Sequence, residues 1–282
     1  MESSTDGRVW FITGASSGLG RELATAALDR GKRVVATARD LESLTEFERR
    51  SPGQVLTAEL DVRDARQAHD AVDAAMGDFG RIDVLVNNAG YGLFGPLEEI
   101  SEEDLRREFD TNVFGAVNVI RAVLPVMREQ RAGRIVQISS LEGVAPAVAG
   151  ESAYSGTKFA AEGIHEALAK EVDHLGIGVT IVEPGPIRTD FASGAAVTEP
   201  SDPDYQQSVG AALEWFADLA GNQPNDPARV AAAIVDALDT EEPPLRLALG
   251  EEAMEAIREK LEAQIADLRA WEELATSTAA AN

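Results

Sequence analysis

Short apolar runs recur along the chain with helix-patterned stretches between them, and this alternation limits the possible folds more than any other feature. The runs cover residues 9–13, 33–38, 55–60, 82–86, 134–139, 179–182 and 245–249; residues 21–30 and 41–49 are the first helical stretches between them. A strand that is apolar at successive positions must be buried on both faces. Strands of that kind separated by helices describe a parallel sheet with helices covering each side. No Pro/Ser/Gly-rich linker divides the pattern and no internal repeat is present. The expected fold class is α/β, a doubly wound parallel sheet forming one domain over residues 1–250.

Two segments break the rhythm. Residues 190–226 are long and rich in Pro, Asp and Gly, with a short helix expected at 205–220 carrying Leu213, Trp215, Phe216 and Leu219. A long connection after a late strand is either a surface insertion or a lid, and we read a lid. Residues 251–275 form a charged amphipathic helix with a stripe at Met254, Ile257, Leu261, Ile265, Leu268 and Trp271. Such a stripe is expected to be buried, against its own domain or against another subunit. Residues 276–282 read as a disordered tail.

The composition excludes several chemistries. The 282 residues contain no Cys and three His (His69, His165, His174), so thiolate catalysis, disulfides and Cys/His zinc sites are ruled out and no metal site is expected. A net charge of -24 repels nucleic acid and anionic lipid, which makes neither an expected partner. The segment 1–6 lacks the basic and apolar regions of a signal peptide, and no apolar stretch is long enough to span a bilayer. A soluble cytoplasmic protein is expected.

Several motifs carry chemistry. Tyr154 and Lys158 are four residues apart, which on a helix places phenol and ammonium on one face. A fixed cation beside a phenol stabilises the phenolate, and so builds an acid/base from a group whose free pKa is about 10. The loop containing Gly14, Ser16, Ser17, Gly18, Leu19 and Gly20 follows the first strand and opens the first helix. Glycines there let a pyrophosphate approach backbone amides at the positive end of a helix. The second strand ends on Ala38-Arg39, where dinucleotide folds often carry an acid for the ribose 2'-hydroxyl. A guanidinium in that place suits a 2'-phosphate and favours NADP over NAD, although Asp40 follows directly. Asn88, Ala89 and Gly90 end the fourth strand at the switch point of such a sheet. Asp61 and Val62 close the third, near the expected adenine; Asp61 has helix capping as its other reading.

Thr-Gly-x-x-x-Gly-x-Gly, Asn-Asn-Ala-Gly, a Ser upstream of Tyr-x-x-x-Lys and a Pro-Gly after the sixth strand occur in order over roughly residues 8–250. Together they resemble the short-chain dehydrogenase/reductase family. The resemblance implies a single Rossmann-like domain, strand order 3-2-1-4-5-6-7, with a nicotinamide dinucleotide as hydride carrier. It implies that Tyr154 is the catalytic acid/base and that Lys158 lowers its pKa while holding the nicotinamide ribose. Ser140 matches the residue that fixes the substrate oxygen, and Asn112 the helix-bending Asn that supports a proton relay. Pro184, Gly185, Ile187 and Thr189 match the loop around the nicotinamide. One departure stands out: Ser140 and Tyr154 are one residue further apart than is common in the family, with Ser139 one step further still. Glu142 in that loop reads as substrate-facing or solvated, and we favour solvated.

The expected activity is NADP(H)-dependent hydride transfer between nicotinamide and a ketone, aldehyde or secondary alcohol. Leu93, Phe94, Leu141, Val144, Phe191, Trp215 and Phe216 are candidates for an apolar pocket. The nearest subgroup is similar to hydroxysteroid and retinol dehydrogenases and bacterial ketone reductases. Family precedent implies a homodimer or homotetramer built on the helices near Asn112 and Tyr154. The rival reading is a dinucleotide-binding sensor or scaffold that kept the fold without the catalysis. An epimerase or dehydratase of the extended branch would need a larger C-terminal domain than about 30 residues can make.

Overall fold

Val9, Trp10, Phe11 and Ile12 are all buried, and they divide alternately between two hydrophobic cores. That is the signature of a strand inside a sheet covered on both sides. The computed structural model describes residues 7–280, so the segment 1–6 and residues 281–282 of the expected tail lie outside the described residues. The chain begins β1 (Val9–Ile12), α1 (Gly18–Asp29), β2 (Arg33–Ala38), α2 (Thr45–Arg50), β3 (Val55–Glu59), α3 (Ala65–Phe79), β4 (Val84–Asn87) and β5 (Leu93–Phe94). It continues with α4 (Glu102–Phe109), α5 (Ala116–Gln130), β6 (Gly133–Ile138), α6 (Ser152–Val172), β7 (Ile177–Pro184) and β8 (Ala196–Val197). It closes with α7 (Ala211–Leu219), α8 (Pro227–Leu238), β9 (Arg246–Leu249), α9 (Glu251–Ala270) and α10 (Glu272–Thr276).

The main sheet is parallel with order β3-β2-β1-β4-β6-β7-β9, the expected 3-2-1-4-5-6-7 once the small β5-β8 pair is set aside. One core lies between the sheet and α1 with α8, using Leu23, Ala27, Ile234 and Val235. The other lies under α3, α5 and α6, with Val72, Val123, Met127 and Leu168 against Phe11, Leu85 and Ile135. Local chemistry sets the helix ends: Asp64 accepts from the amides of Arg66 and Gln67 to start α3, and Gly80, at φ 72°, ends it in the left-handed region.

Three features were not visible in the sequence pattern. β5 pairs with β8, tying the segment after β7 to residues that follow β4. Between α4 and α5 the helix widens into a π-helical stretch, Asp110–Gly115, which contains Asn112. The stripe on α9 is also not buried on its own domain: Met254, Leu261 and Ile265 are each 47% exposed, and Leu268 and Trp271 more so. Only Ala253 of α9 is buried, because the helix meets β9 and the turn after β6 and then runs clear of the body. Thr276 is the last residue of α10, and the amides of Ser277 and Ala279 bond back to Glu273 and Thr276.

Candidate active site

One cleft of about 760 Å³ runs across the C-terminal edge of the central strands. At one end the loop after β1 is shaped by Gly14 (φ +67°) and Gly18 (φ +53°). Thr13 Oγ1 accepts from the amides of Asn88 and Ala89, both at 3.0 Å, and Asn88 Nδ2 donates to Thr13 O at 2.9 Å. These bonds lock the β1 and β4 loops together at the switch point. α1 then begins at Gly18 with no side-chain cap from Ser17, so its first amides are left for an acceptor outside the chain. A Cβ on Gly20 would lie 2.3 Å from Gly14 O, which shows how tightly the loop is drawn. These residues fit a dinucleotide pyrophosphate.

Gly14, Ser16, Ser17, Gly18, Leu19, Arg39, Asp61, Val62, Asn88, Ala89 and Gly90 all line this part of the cleft. Gly20 does not; it sits beneath the loop and permits its shape. Asp61 is gripped by Arg63 through bonds of 3.0 and 2.6 Å, and this partner holds its carboxyl below the usual range. Sequence reading had not singled out Arg63, whose role depends on that ion pair.

Tyr154, Lys158, Ser140, Pro184, Gly185, Ile187 and Thr189 line the other part. Ser140 begins the turn after β6, shares the cleft wall with the Tyr154 phenol, whose pKa it acts to lower, and accepts from Glu142 N at 3.2 Å. Ser139 instead donates to Glu162 Oε1 at 2.6 Å, so the longer connection leaves Ser140 as the partner of Tyr154. Lys158 Nζ donates to Ile138 O at 3.0 Å and lies 5.4 Å from the Tyr154 ring centroid. Asn112 does not line the cleft. Its side chain holds Tyr91 through both backbone groups, at 3.1 and 2.8 Å, and donates to Thr157 Oγ1 at 3.1 Å. It therefore joins the π-helical stretch to α6 one residue before Lys158.

Burial dominates the electrostatics of the pair. It pushes the Tyr154 phenol above its ordinary value, with Ser140 partly opposing this. Burial also pushes Lys158 down, to about 8. Both groups are enclosed, and desolvation acts on each in the direction of its neutral form. Glu142, expected to be solvated, is instead buried and lines the cleft.

Aromatic side chains surround the phenol. Phe94 and Phe191 have ring centroids 5.7 and 5.6 Å from Tyr154, and Phe216 of α7 lies 4.6 Å from Phe94. With Leu141 they line the apolar wall. The other pocket candidates fall elsewhere: Leu93 packs with Ile100 and Ala153, Trp215 is half exposed, and Val144 stands off the cleft. Tyr91 and Glu151, which also line it, carried no motif signal.

A profile of short chain dehydrogenases matches residues 8–199. The chain belongs to the short-chain dehydrogenase family. It is 40% identical over 257 residues to retinol dehydrogenase 8 of Homo sapiens, covering 85% of this chain and 80% of that one. A short-chain dehydrogenase from Streptomyces avermitilis has a similar crystal structure, with a TM-score of 0.88, 42% identity, and 98% and 99% of the two chains covered. A Burkholderia phymatum member solved in complex with NAD gives a TM-score of 0.80 at 26% identity, over 92% of this chain and 96% of that one. This short-chain dehydrogenase is thus an oxidoreductase of a family acting on alcohol and carbonyl groups, with a fold that binds a nicotinamide dinucleotide. Among its described residues no helix is long and apolar enough to cross a membrane.

Proposed function

We propose that this chain is an NADP(H)-dependent carbonyl reductase and alcohol dehydrogenase acting on a ketone, aldehyde or secondary alcohol with an apolar body. The observation that carries this reading is the convergence of Ser140, Tyr154 and Lys158 on one cleft with the glycine loop, inside a wall of Phe94, Phe191 and Phe216. When bound, the dinucleotide supplies or accepts the hydride. Tyr154, whose raised pKa keeps it protonated, gives its phenolic proton to the carbonyl oxygen, so that C=O becomes CH–OH. Ser140 holds that same oxygen and stabilises the negative charge it gathers. Lys158, fixed by Ile138, lies where its charge would offset a phenolate and reach a ribose hydroxyl. Asn112 positions Thr157 and the Tyr91 backbone around them.

Arg39 beside Ala38 supports NADP over NAD, since a guanidinium can grip a 2'-phosphate through two hydrogen bonds. The segment 190–226 acts as a lid: β8 ties it to β5, and Phe216 reaches the aromatic wall from α7. A homodimer or homotetramer is supported by exposed Phe114, Phe159 and Ile164 near Asn112 and on α6, and by the stripe on α9. Light scattering showing only monomer would overturn that assembly.

The test of the reaction pairs wild type with Tyr154→Phe. Wild type should bind NADPH more tightly than NADH and oxidise it with apolar ketones. The variant should keep NADPH binding and lose turnover by about a thousandfold. Turnover near wild type would sink the role of Tyr154, and tighter NADH binding would sink the cofactor assignment.

A further inference from the structure

Two buried carboxyls line the cleft without a part in the chemistry above. Glu142 lies in the turn after Ser140 and Glu151 directly precedes α6; they are 6% and 8% exposed and share the cleft wall with Tyr154. Their carboxyl groups are neighbours, and Glu142 acts to keep Glu151 in its protonated form. Glu142 Oε2 also accepts from Ala147 N at 3.2 Å and from the Ser155 hydroxyl at 3.3 Å, and Glu151 Oε2 accepts from Val148 N at 3.4 Å. The loop between Ser140 and Tyr154, one residue longer than is common, is thus held shut by two carboxyls that meet at the pocket.

Two neighbouring buried carboxyls resist ionising together, so one of them keeps a proton. Burial, reinforced by the neighbouring carboxyl, pushes Glu151 up to about 9, and burial raises Glu142 as well. Glu151 is thus the carboxyl that keeps its proton, while Glu142, which accepts from both Ala147 N and the Ser155 hydroxyl, is the one placed to carry a negative charge. The Ser155 hydroxyl already donates to Glu142, and the wall formed by Phe94, Leu141, Phe191 and Phe216 adds no further donor. The other acids on the lining, Asp61 and Asp190, have the same sign. Among the cations on the lining, Lys158 is directed to Ile138 O and Arg107 is paired with Asp104, while Arg39 and Arg63 stand at the Asp61 end.

We infer that Glu142 and Glu151 are specificity-determining residues of the substrate pocket, selecting carbonyl compounds that carry a hydrogen-bond donor, a hydroxyl or an ammonium, near the reacting carbon, and rejecting those that carry an anion there. A donor from the substrate meets a largely buried carboxylate acceptor, whereas a second anion would face a charge of its own sign. This inference rests on the carbonyl-reductase reading of the same cleft.

The test uses four matched probes with the NADPH complex: acetophenone, 2-hydroxyacetophenone, 2-aminoacetophenone and phenylglyoxylate. Calorimetric binding is measured beside KM and kcat for wild type, Glu142→Gln, Glu151→Gln and the double variant. A carboxamide oxygen still accepts from the loop amides, so these changes remove the charge and spare the fastening. Wild type should bind the hydroxy and amino ketones about tenfold more tightly than acetophenone, and phenylglyoxylate most weakly. In the double variant the hydroxy-to-plain ratio should fall to within about twofold and the penalty on phenylglyoxylate should shrink. The amino ketone should lose more than the hydroxy ketone if charge contributes beyond the donor bond. Equal binding of all four probes by wild type, or ratios unchanged in the variants, overturns the inference. If the double variant does not fold, each single variant carries the same comparison. Binding ratios as expected with no turnover of any probe would sink the carbonyl-reductase reading and leave the selectivity standing.

Discussion

The two ends of the cleft are built from different materials. The end assigned to the dinucleotide is made of backbone: positive-φ glycines, uncapped amides at the start of α1, and the Thr13 and Asn88 bonds that fasten the β1 and β4 loops. The end assigned to the substrate is made of side chains from Phe94, Ser140 to Tyr154, Phe191 and Phe216, segments far apart in the chain. A backbone site tolerates almost no change in shape, while a side-chain site loses its contacts one at a time. The same difference explains why only the first end is written as a compact motif.

Gly20→Ala tests that contrast most severely. Its new Cβ would lie 2.3 Å from Gly14 O and 2.4 Å from Asn88 Nδ2, so the loop must move. Dinucleotide affinity measured by fluorescence titration should fall by about a hundredfold. An unchanged affinity would mean that the loop does not hold the cofactor. Phe216→Ala should instead raise KM for apolar ketones by about two- to tenfold, the worth of an aromatic pair, and leave NADPH affinity as it was. A matching loss of NADPH affinity would blur the division between the ends.

The smallest expected effect concerns Glu108, fully buried in α4 behind the cleft, where its carboxyl accepts from Leu93 N at 3.0 Å. Burial raises its pKa from 4.5 to about 8. Below 4.5 it is protonated whether the chain is folded or not. As pH climbs toward 8 the unfolded chain ionises while the folded one resists, so the stability contributed by this group is lost over that interval. Glu108→Gln cannot ionise, and its melting temperature should fall less than that of wild type between pH 5 and 8, by about 2 °C. Parallel pH profiles for the two proteins would remove Glu108 from that account.

Much of the fold was legible because burial on both faces forces continuous apolar strands, and the runs at residues 9–13 and 134–139 could be little else. Ser140, Tyr154 and Lys158 were legible as a spacing, and the structure brings them to one cleft. The choice between Ser139 and Ser140 was open to counting alone; it turned on which hydroxyl Glu162 captures. Glu142 looked like an ordinary loop acid until Glu151 and the loop amides were found closing around it. The two-residue strands β5 and β8 were too short to leave a pattern, yet they attach the segment after β7 to the aromatic wall.

The sequence by itself determined the covered parallel sheet, the glycine loop at the start of α1 and the candidates for proton transfer, because each depends on residue type and local spacing. The tertiary structure decided how those candidates are charged and what faces them. Desolvation depends on everything packed around a group, so burial, unseen in the spacing, drives Tyr154 up and Lys158 down. It also decided that the α9 stripe stays uncovered within one chain, since an amphipathic pattern announces a buried face but only the path of the helix shows whether its own domain supplies the cover.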